Sequence, residues 1–375
     1  MKTTHADVVV IGGGIAGAAA GYFLAESGAD VVLVEAERQL AQHATGRSAA
    51  LLIGSYGAEP VRPLTAASRG FLQRPPEGLV DAPLLSPRPV LTIASEDDVD
   101  RLTTDVATGQ ACGAEVELIR PADAAARVPW LRLGAVAAAA WETNTFDIDV
   151  AGLHQAFVRG LRRRGGTIIC ETPLEGARRS GSTWQVTAGS EAPSAPLLVN
   201  AAGAWGDEVA ARAGVEPIGL EPRRRTIFMT PGRQEWSDWP LVLDAAHRFY
   251  VKPEGPQLLC SPADQTPVTP QDARPDELAI AAAIERINTA TTLGIRSVRS
   301  SWAGLRTFAP DESMVIGPDP TAPGFVWLVG QGGTGIQTAP AAGQLVAALA
   351  TSGTVPDALS AAGVQLDTIL PDRFR

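Results

Sequence analysis

Asp7-Val8-Val9-Val10-Ile11-Gly12-Gly13-Gly14-Ile15-Ala16-Gly17 sets a β-branched run directly against a glycine-rich turn. The run reads as a short parallel strand buried on both faces. An alanine-rich helical stretch follows to about Ser27, with Gly28 as its C-cap. A second apolar run, Val31-Val32-Leu33-Val34, ends at Glu35. Strand, turn, helix, strand and acid stand in the order of a complete βαβ unit. In such a unit Gly12 permits the tight turn, Gly14 lets backbone approach a pyrophosphate, and Gly17 packs helix on strand. Ile15 and Ala16 open the helix, whose free N–H groups and dipole favour phosphates. Glu35, eighteen residues beyond Gly17, is placed to accept hydrogen bonds from a ribose. It disfavours a 2′-phosphate, which would want Arg.

The rest of the composition narrows the class. A chain of 375 residues, 45% hydrophobic and 19% charged, is long enough for two lobes with separate cores. Its net charge of -10 speaks against nucleic acid or an anionic membrane as partner. Cys112, Cys170 and Cys260 are widely spaced and the histidines do not cluster, so no metal site is expected. No apolar run approaches the roughly 18 residues of a spanning helix, and the segment before Gly12 is too short for a secretory signal. A cytoplasmic enzyme is the expectation, and nothing in the sequence speaks to oligomeric state.

Glu35 leaves NAD and FAD open; the later segments favour FAD. Gln42-His43-Ala44-Thr45-Gly46-Arg47-Ser48-Ala49-Ala50 is a small-residue stretch suited to close contact with a cofactor. Leu197-Leu198-Val199-Asn200-Ala201-Ala202-Gly203-Ala204-Trp205 reads as a strand entering a tight turn. Phe325 to Val329 runs into Gly330-Gln331-Gly332-Gly333-Thr334-Gly335-Ile336-Gln337, and a helix is expected from about Ala339 to Ala350. Three glycine-rich turns from distant parts of the chain suit one long, extended dinucleotide.

These segments resemble the D-amino acid oxidase superfamily of flavoproteins, which includes glycine and sarcosine oxidases. Within it they are most similar to the bacterial D-arginine dehydrogenase type. The stretches that carry the likeness are His43 to Ala50, Leu84-Leu85-Ser86-Pro87-Arg88-Pro89, Val199 to Trp205, Ser301-Trp302-Ala303-Gly304-Leu305-Arg306 and Gln331 to Thr338. The resemblance implies an α/β protein: a Rossmann-like FAD domain from residues 1–85, 146–220 and 307–375, and an α+β substrate domain on a mixed or antiparallel sheet from 86–145 and 221–306. It implies FAD contacts at Ala44, Thr45, Arg47, Ser48, Ala49, Leu174, Ala201, Ala202, Gly203, Trp205, Gly304, Gly332, Gly333, Gly335, Ile336, Gln337 and Thr338, beside those of the first turn. Non-covalent attachment is expected, since no cysteine takes the late flavin-linking position and no histidine follows Thr45 to Ser48.

An amino-acid substrate needs a cation for its carboxylate, preferably a bidentate Arg. Arg225 and Arg306 match family positions for that role, leaving Arg223 and Arg224 as surface charge. Tyr56 and Tyr250 match positions where a phenol meets the carboxylate or lines the pocket, and Gly333 and Gln337 would border substrate and flavin. Tyr22 reads as packing. No His, Asp or Glu suggests itself as general base, and a neutral amine needs none. The chain departs from the D-arginine type at Val90 and Leu51, where an acid and a histidine are expected. An unpaired guanidinium there would cost a few kcal/mol, so an apolar group is favoured. Two substrate classes fit, an apolar D-amino acid and an N-alkylglycine. A flavin protein without catalysis and a one-domain NAD dehydrogenase are the competing readings.

Overall fold

The computed structural model describes residues 2–375. Its first sheet is built on β1 (Val8–Ile11), which the glycine turn joins to helix α1 (Ile15–Glu26) and then β2 (Val31–Val34). Helix α2 (Val150–Arg163) leads to β3 (Thr167–Ile169), β4 (Leu197–Asn200) follows, and β5 (Val315–Pro318) precedes β6 (Phe325–Val329) and helix α3 (Gly335–Thr351). The six strands lie in the order β3–β2–β1–β4–β6–β5, all parallel except β5 against β6. β1, β2 and β6 are buried throughout because layers cover both faces, which is why their sequences are continuous apolar runs.

On one face α1 packs between α2 and α3. Tyr22, Phe23 and Phe157 form its aromatic core. Tyr22 is packing, as read from the sequence, and its hydroxyl donates to Glu26 at 2.9 Å. On the other face Trp184, from a small four-stranded sheet, packs against Phe325. Helix α3 starts four residues before the expected Ala339. Proline ordinarily marks a first helical turn, but here Pro340 lies inside the helix and the one lost hydrogen bond is tolerated.

The second sheet has nine strands and is mixed. Its strand Val90–Ala94 runs parallel to Leu241–Asp244, with Val90 opposite Leu241; its other pairs are antiparallel. The long strand Glu221–Pro231 pairs along its length with Ser300–Phe308. Arg225 stands in the middle of its strand rather than at its start, opposite Gly304, while Arg306 is opposite Arg223. Alternation puts residues two apart on one face, so Arg225 and Arg306 are diagonal neighbours.

β6 delivers the third glycine turn, and Asp319 secures it. Its carboxylate, wholly buried, accepts from Trp327 Nε1 at 3.0 Å, Arg375 at 2.8 Å and the Thr321 hydroxyl at 2.8 Å. Burial alone would raise its pKa, but the bonds from Trp327, Arg375 and Thr321 outweigh it and bring the value from 3.8 to about 2. A depressed carboxylate contributes stability above its unfolded pKa and loses it as pH falls through the folded one. We predict that Asp319→Asn lowers unfolding free energy by about 1–3 kcal/mol at pH 7. In denaturant titrations the gap to wild type should close between pH 4 and 2; a gap constant with pH would refute this account.

Candidate active site

The three glycine turns and the segment 42–50 meet around one cavity of about 560 Å³, within the range of ligand sites. Gly12 has φ +108° and its turn lies so close to β4 that a Cβ would fall 2.5 Å from the Ala201 carbonyl oxygen. A Cβ on Gly17 would fall 1.9 Å from the Gly12 oxygen. Both positions therefore require glycine, and they bring the N-terminus of α1 to the cavity, where Gly14 caps it without a side chain. The Ile15 amide donates to Thr45 Oγ1 at 3.0 Å, which ties segment 42–50 to the helix start. His154, buried on α2, hydrogen-bonds the Gly13 carbonyl at 3.0 Å from below, and burial holds its imidazole under the ordinary pKa.

Glu35 sits at the tip of β2 as expected. Its carboxylate accepts from the Gly13 amide at 2.6 Å and the Glu37 amide at 2.8 Å, so backbone fixes it facing the cavity. Ala44, Arg47, Ser48 and Ala49 line the next stretch, and Leu174, Ala201, Ala202, Gly203 and Trp205 close the β4 side. Arg47 donates to the Ala303 carbonyl at 2.9 Å and pairs with Asp272, tying segment 42–50 to the mixed sheet. Gly304, Gly332, Gly333, Gly335, Ile336 and Gln337 form the third side. Gly17 and Thr338 do not border it: Gly17 packs as above, and Thr338 is buried with its hydroxyl on the Thr334 carbonyl. A helix N-terminus facing the cavity, glycine cradles that a Cβ would fill and an acid at the second strand fit an extended dinucleotide.

Beyond the glycine turns the cavity continues onto the mixed sheet. Arg225 is 7% exposed; its Nε donates to the Asp264 backbone carbonyl at 2.9 Å. Arg306 donates to the Tyr56 hydroxyl at 2.8 Å. Neither guanidinium forms an ion pair among the described residues. Burial first, and then the charge of Arg306, pull the Arg225 pKa down. Burial pushes the Tyr56 hydroxyl up, but the two guanidiniums win and its pKa falls below the ordinary value. Gly333 leaves room for this group, since a Cβ there would sit 2.8 Å from both the Arg306 guanidinium and the Tyr56 oxygen. Tyr250 lines the cavity beside them.

Several expectations are revised. Val90 does not border the cavity: at 3% exposure it packs behind Leu241 and Ile53. The apolar wall is instead Leu51, Ile53, Ile227, Leu241 and Leu243. Gln337 borders the cavity, yet both ends of its amide are used internally, accepting from Ile53 N at 3.1 Å and donating to Thr65 at 3.0 Å. Arg224 is not free surface charge, because it bridges Asp264 at 3.1 Å and Asp276 at 2.7 Å. Arg223 pairs with Glu221 and Glu312. His247 was not foreseen. It lines the cavity from a hairpin turn with φ +55°, a conformation the sequence does not announce. Burial first, then Arg101, hold its imidazole below the ordinary pKa; neutral, it can accept a hydrogen bond or proton.

The family model described as "FAD dependent oxidoreductase", DAO, matches residues 7–349. The chain belongs to the DAO family of FAD-dependent oxidoreductases. FAD is thus its cofactor, in accord with the three converging turns. The chain is 26% identical to "FAD-dependent oxidoreductase domain-containing protein 1" of Bos taurus, covering 94% of this chain and 82% of that one. To mitochondrial sarcosine dehydrogenase of Homo sapiens it is 25% identical over 91% of this chain, which spans 39% of that longer protein. In fold it is similar to glycine oxidase from Geobacillus kaustophilus, with a TM-score of 0.82 at 22% identity, covering 92% of this chain and 94% of that one. The D-arginine dehydrogenase type is not singled out by these likenesses. A methyl at Gly17 would press on the Gly12 carbonyl at the heart of the cradle: we predict that Gly17→Ala is purified with less than about a tenth of the flavin of wild type, read from absorbance near the visible flavin bands. Full flavin content would show that the Gly12 carbonyl can yield.

Proposed function

We propose that the protein oxidises the C–N bond of a small amino acid bearing an apolar group, with FAD held non-covalently. On this reading residues 1–85, 146–220 and 307–375 hold the cofactor, and 86–145 and 221–306 the substrate. The observation that carries it is the pair Arg225 and Arg306, two cations on one face, the first buried and the second half-buried, neither of which forms an ion pair among the described residues. Buried charge of one sign is costly, and a substrate carboxylate offsets it through charge-assisted, bidentate hydrogen bonds. Tyr56 adds a hydroxyl to the same anion, and Tyr250 borders it. The carboxylates that border the cavity, Glu35, Glu37 and Glu208, all lie at the end formed by β2 and the Ala201 turn. The other half of the substrate meets Leu51, Ile53, Ile227, Leu241 and Leu243, which suit an aliphatic group and leave a cationic one unpaired.

Bound FAD supplies the two-electron acceptor for the hydride that leaves the carbon next to nitrogen. This chain's residues orient that carbon by gripping the carboxylate, and the apolar wall keeps water from the other side. The amine must shed its proton first, to water or to a weak acceptor such as His247. The resulting C=N bond is then hydrolysed, giving a 2-oxo acid and an amine. A second reading, favoured by the likeness to sarcosine dehydrogenase, is an N-alkylglycine whose glycine end meets the arginines and whose N-alkyl group takes the apolar wall; its products would be glyoxylate and a primary amine.

An anaerobic screen of D-amino acids, L-amino acids and N-alkylglycines should find members with apolar groups that bleach the yellow flavin. A panel in which none does so sinks the enzyme reading, and rapid bleaching by D-arginine sinks the apolar one. With the best substrate, Tyr56→Phe is expected to lower kcat/KM about 10-fold, and Arg306→Ala at least about 100-fold, from the loss of hydrogen bonds to a charged group.

A further inference from the structure

Glu142 ends the strand Ala138–Glu142, in register with Val90 on one side and Val116 on the other. It is 4% exposed. All three of its side-chain hydrogen bonds go to one short segment outside its sheet. Oε1 accepts from the Gly54 amide at 3.1 Å and the Ser55 amide at 3.2 Å, and Oε2 accepts from the Ser55 hydroxyl at 2.6 Å. The next residue is Tyr56, whose hydroxyl meets Arg306.

Residues 53–58 belong to no helix or strand. Their other ties are few: Ile53 N to Gln337, Tyr56 N to the Ile53 carbonyl at a long 3.4 Å, Arg62 to the Gly57 carbonyl at 3.2 Å and Val61 N to the Ala58 carbonyl at 2.9 Å. Gly57, at φ +104°, turns the chain away directly after the tyrosine. Burying a carboxylate is expensive and an apolar residue would suit the sheet better, so what Glu142 supplies is a fixed acceptor for two backbone N–H groups that would otherwise be orphaned. We infer that Glu142 is a positioning residue for the substrate site: it holds Gly54 and Ser55 so that the Tyr56 hydroxyl lies against Arg306. This rests on the reading of Arg306 and Tyr56 as ligands of a substrate carboxylate.

The test uses the FAD-loaded protein and 3-methylbutanoate, an apolar carboxylate without an amine to oxidise, with binding read from the flavin spectrum. Glu142→Ala should weaken binding about 10-fold at unchanged flavin content. Glu142→Gln keeps an oxygen for the two amides and should lose less than 3-fold. In a Tyr56→Phe background Glu142→Ala should cost nothing more, because both act through one hydroxyl. Wild-type affinity in Glu142→Ala, or losses that multiply independently of Tyr56, would overturn the inference. If Glu142→Ala does not fold, Ser55→Ala removes the 2.6 Å bond alone; it should weaken binding about 3-fold, and no change overturns the inference. Amide exchange at Gly54 and Ser55 provides an arm independent of any ligand. It should quicken in Glu142→Ala. A wild type blind to 3-methylbutanoate would discredit the carboxylate reading of the arginines, and unchanged exchange would discredit the Glu142 clamp.

Discussion

The pairing of Glu221–Pro231 with Ser300–Phe308 sets the chemistry of the molecule. That register makes Arg225 and Arg306 diagonal neighbours on one face and puts Gly304, which lacks a side chain, opposite Arg225. Burial first, and then repulsion from Arg306, lower the pKa of Arg225. The surrounding structure tolerates the strain because the sheet is long and pinned at both ends, by Arg223 on Glu221 and Glu312 and by the Ser300 to Met229 pairing. The result is a preorganised anion site, built before any anion arrives, on strands rather than on a loop. Tyr56 is the exception, since it comes from the other side of the cavity on a short irregular segment and depends on neighbours to be placed.

Much of the cofactor half was legible in the sequence. A βαβ unit is a local object: Gly12, Gly14, Gly17 and Glu35 stand within thirty residues, and each has a stereochemical reason that neighbouring residues disclose. The β4 and β6 turns are local too, each an apolar run ending in small residues. Their convergence on one cavity follows because strands adjacent in a parallel sheet end on the same edge. What a local reading could not see was the second layer. Val90 and Leu241 are far apart in sequence, and only the folded chain sets them side by side in the sheet with Leu241, not Val90, on the cavity wall. The aliphatic wall survives as a conclusion, with Leu51 in it as expected and Leu241 where Val90 was expected.

Two further features were out of reach for other reasons. Helix α3 begins earlier than Ala339 because Thr334, within the glycine-rich turn itself, is its N-cap. His247 enters the cavity through a left-handed backbone conformation in a hairpin, fixed by the Asp244 carboxylate, which accepts from the Arg248 amide at 3.0 Å. No periodicity marks such a residue. Arg224 was misjudged because its partners Asp264 and Asp276 lie 40 and 52 residues away.

The order of strands in the first sheet bears on how the chain reaches this structure during synthesis. β1 leaves the ribosome first, yet its flank toward the mixed sheet is filled by β4 and then β6, which emerge some two hundred and three hundred residues later. Until then an apolar strand has an open edge, the kind that pairs with other chains. The α1 and β2 segments can shelter one side of it early, but the FAD cradle cannot close before the Gly330 turn exists. The cradle is therefore complete only when nearly all of the chain has emerged, and cofactor capture is a late event in the folding of each molecule.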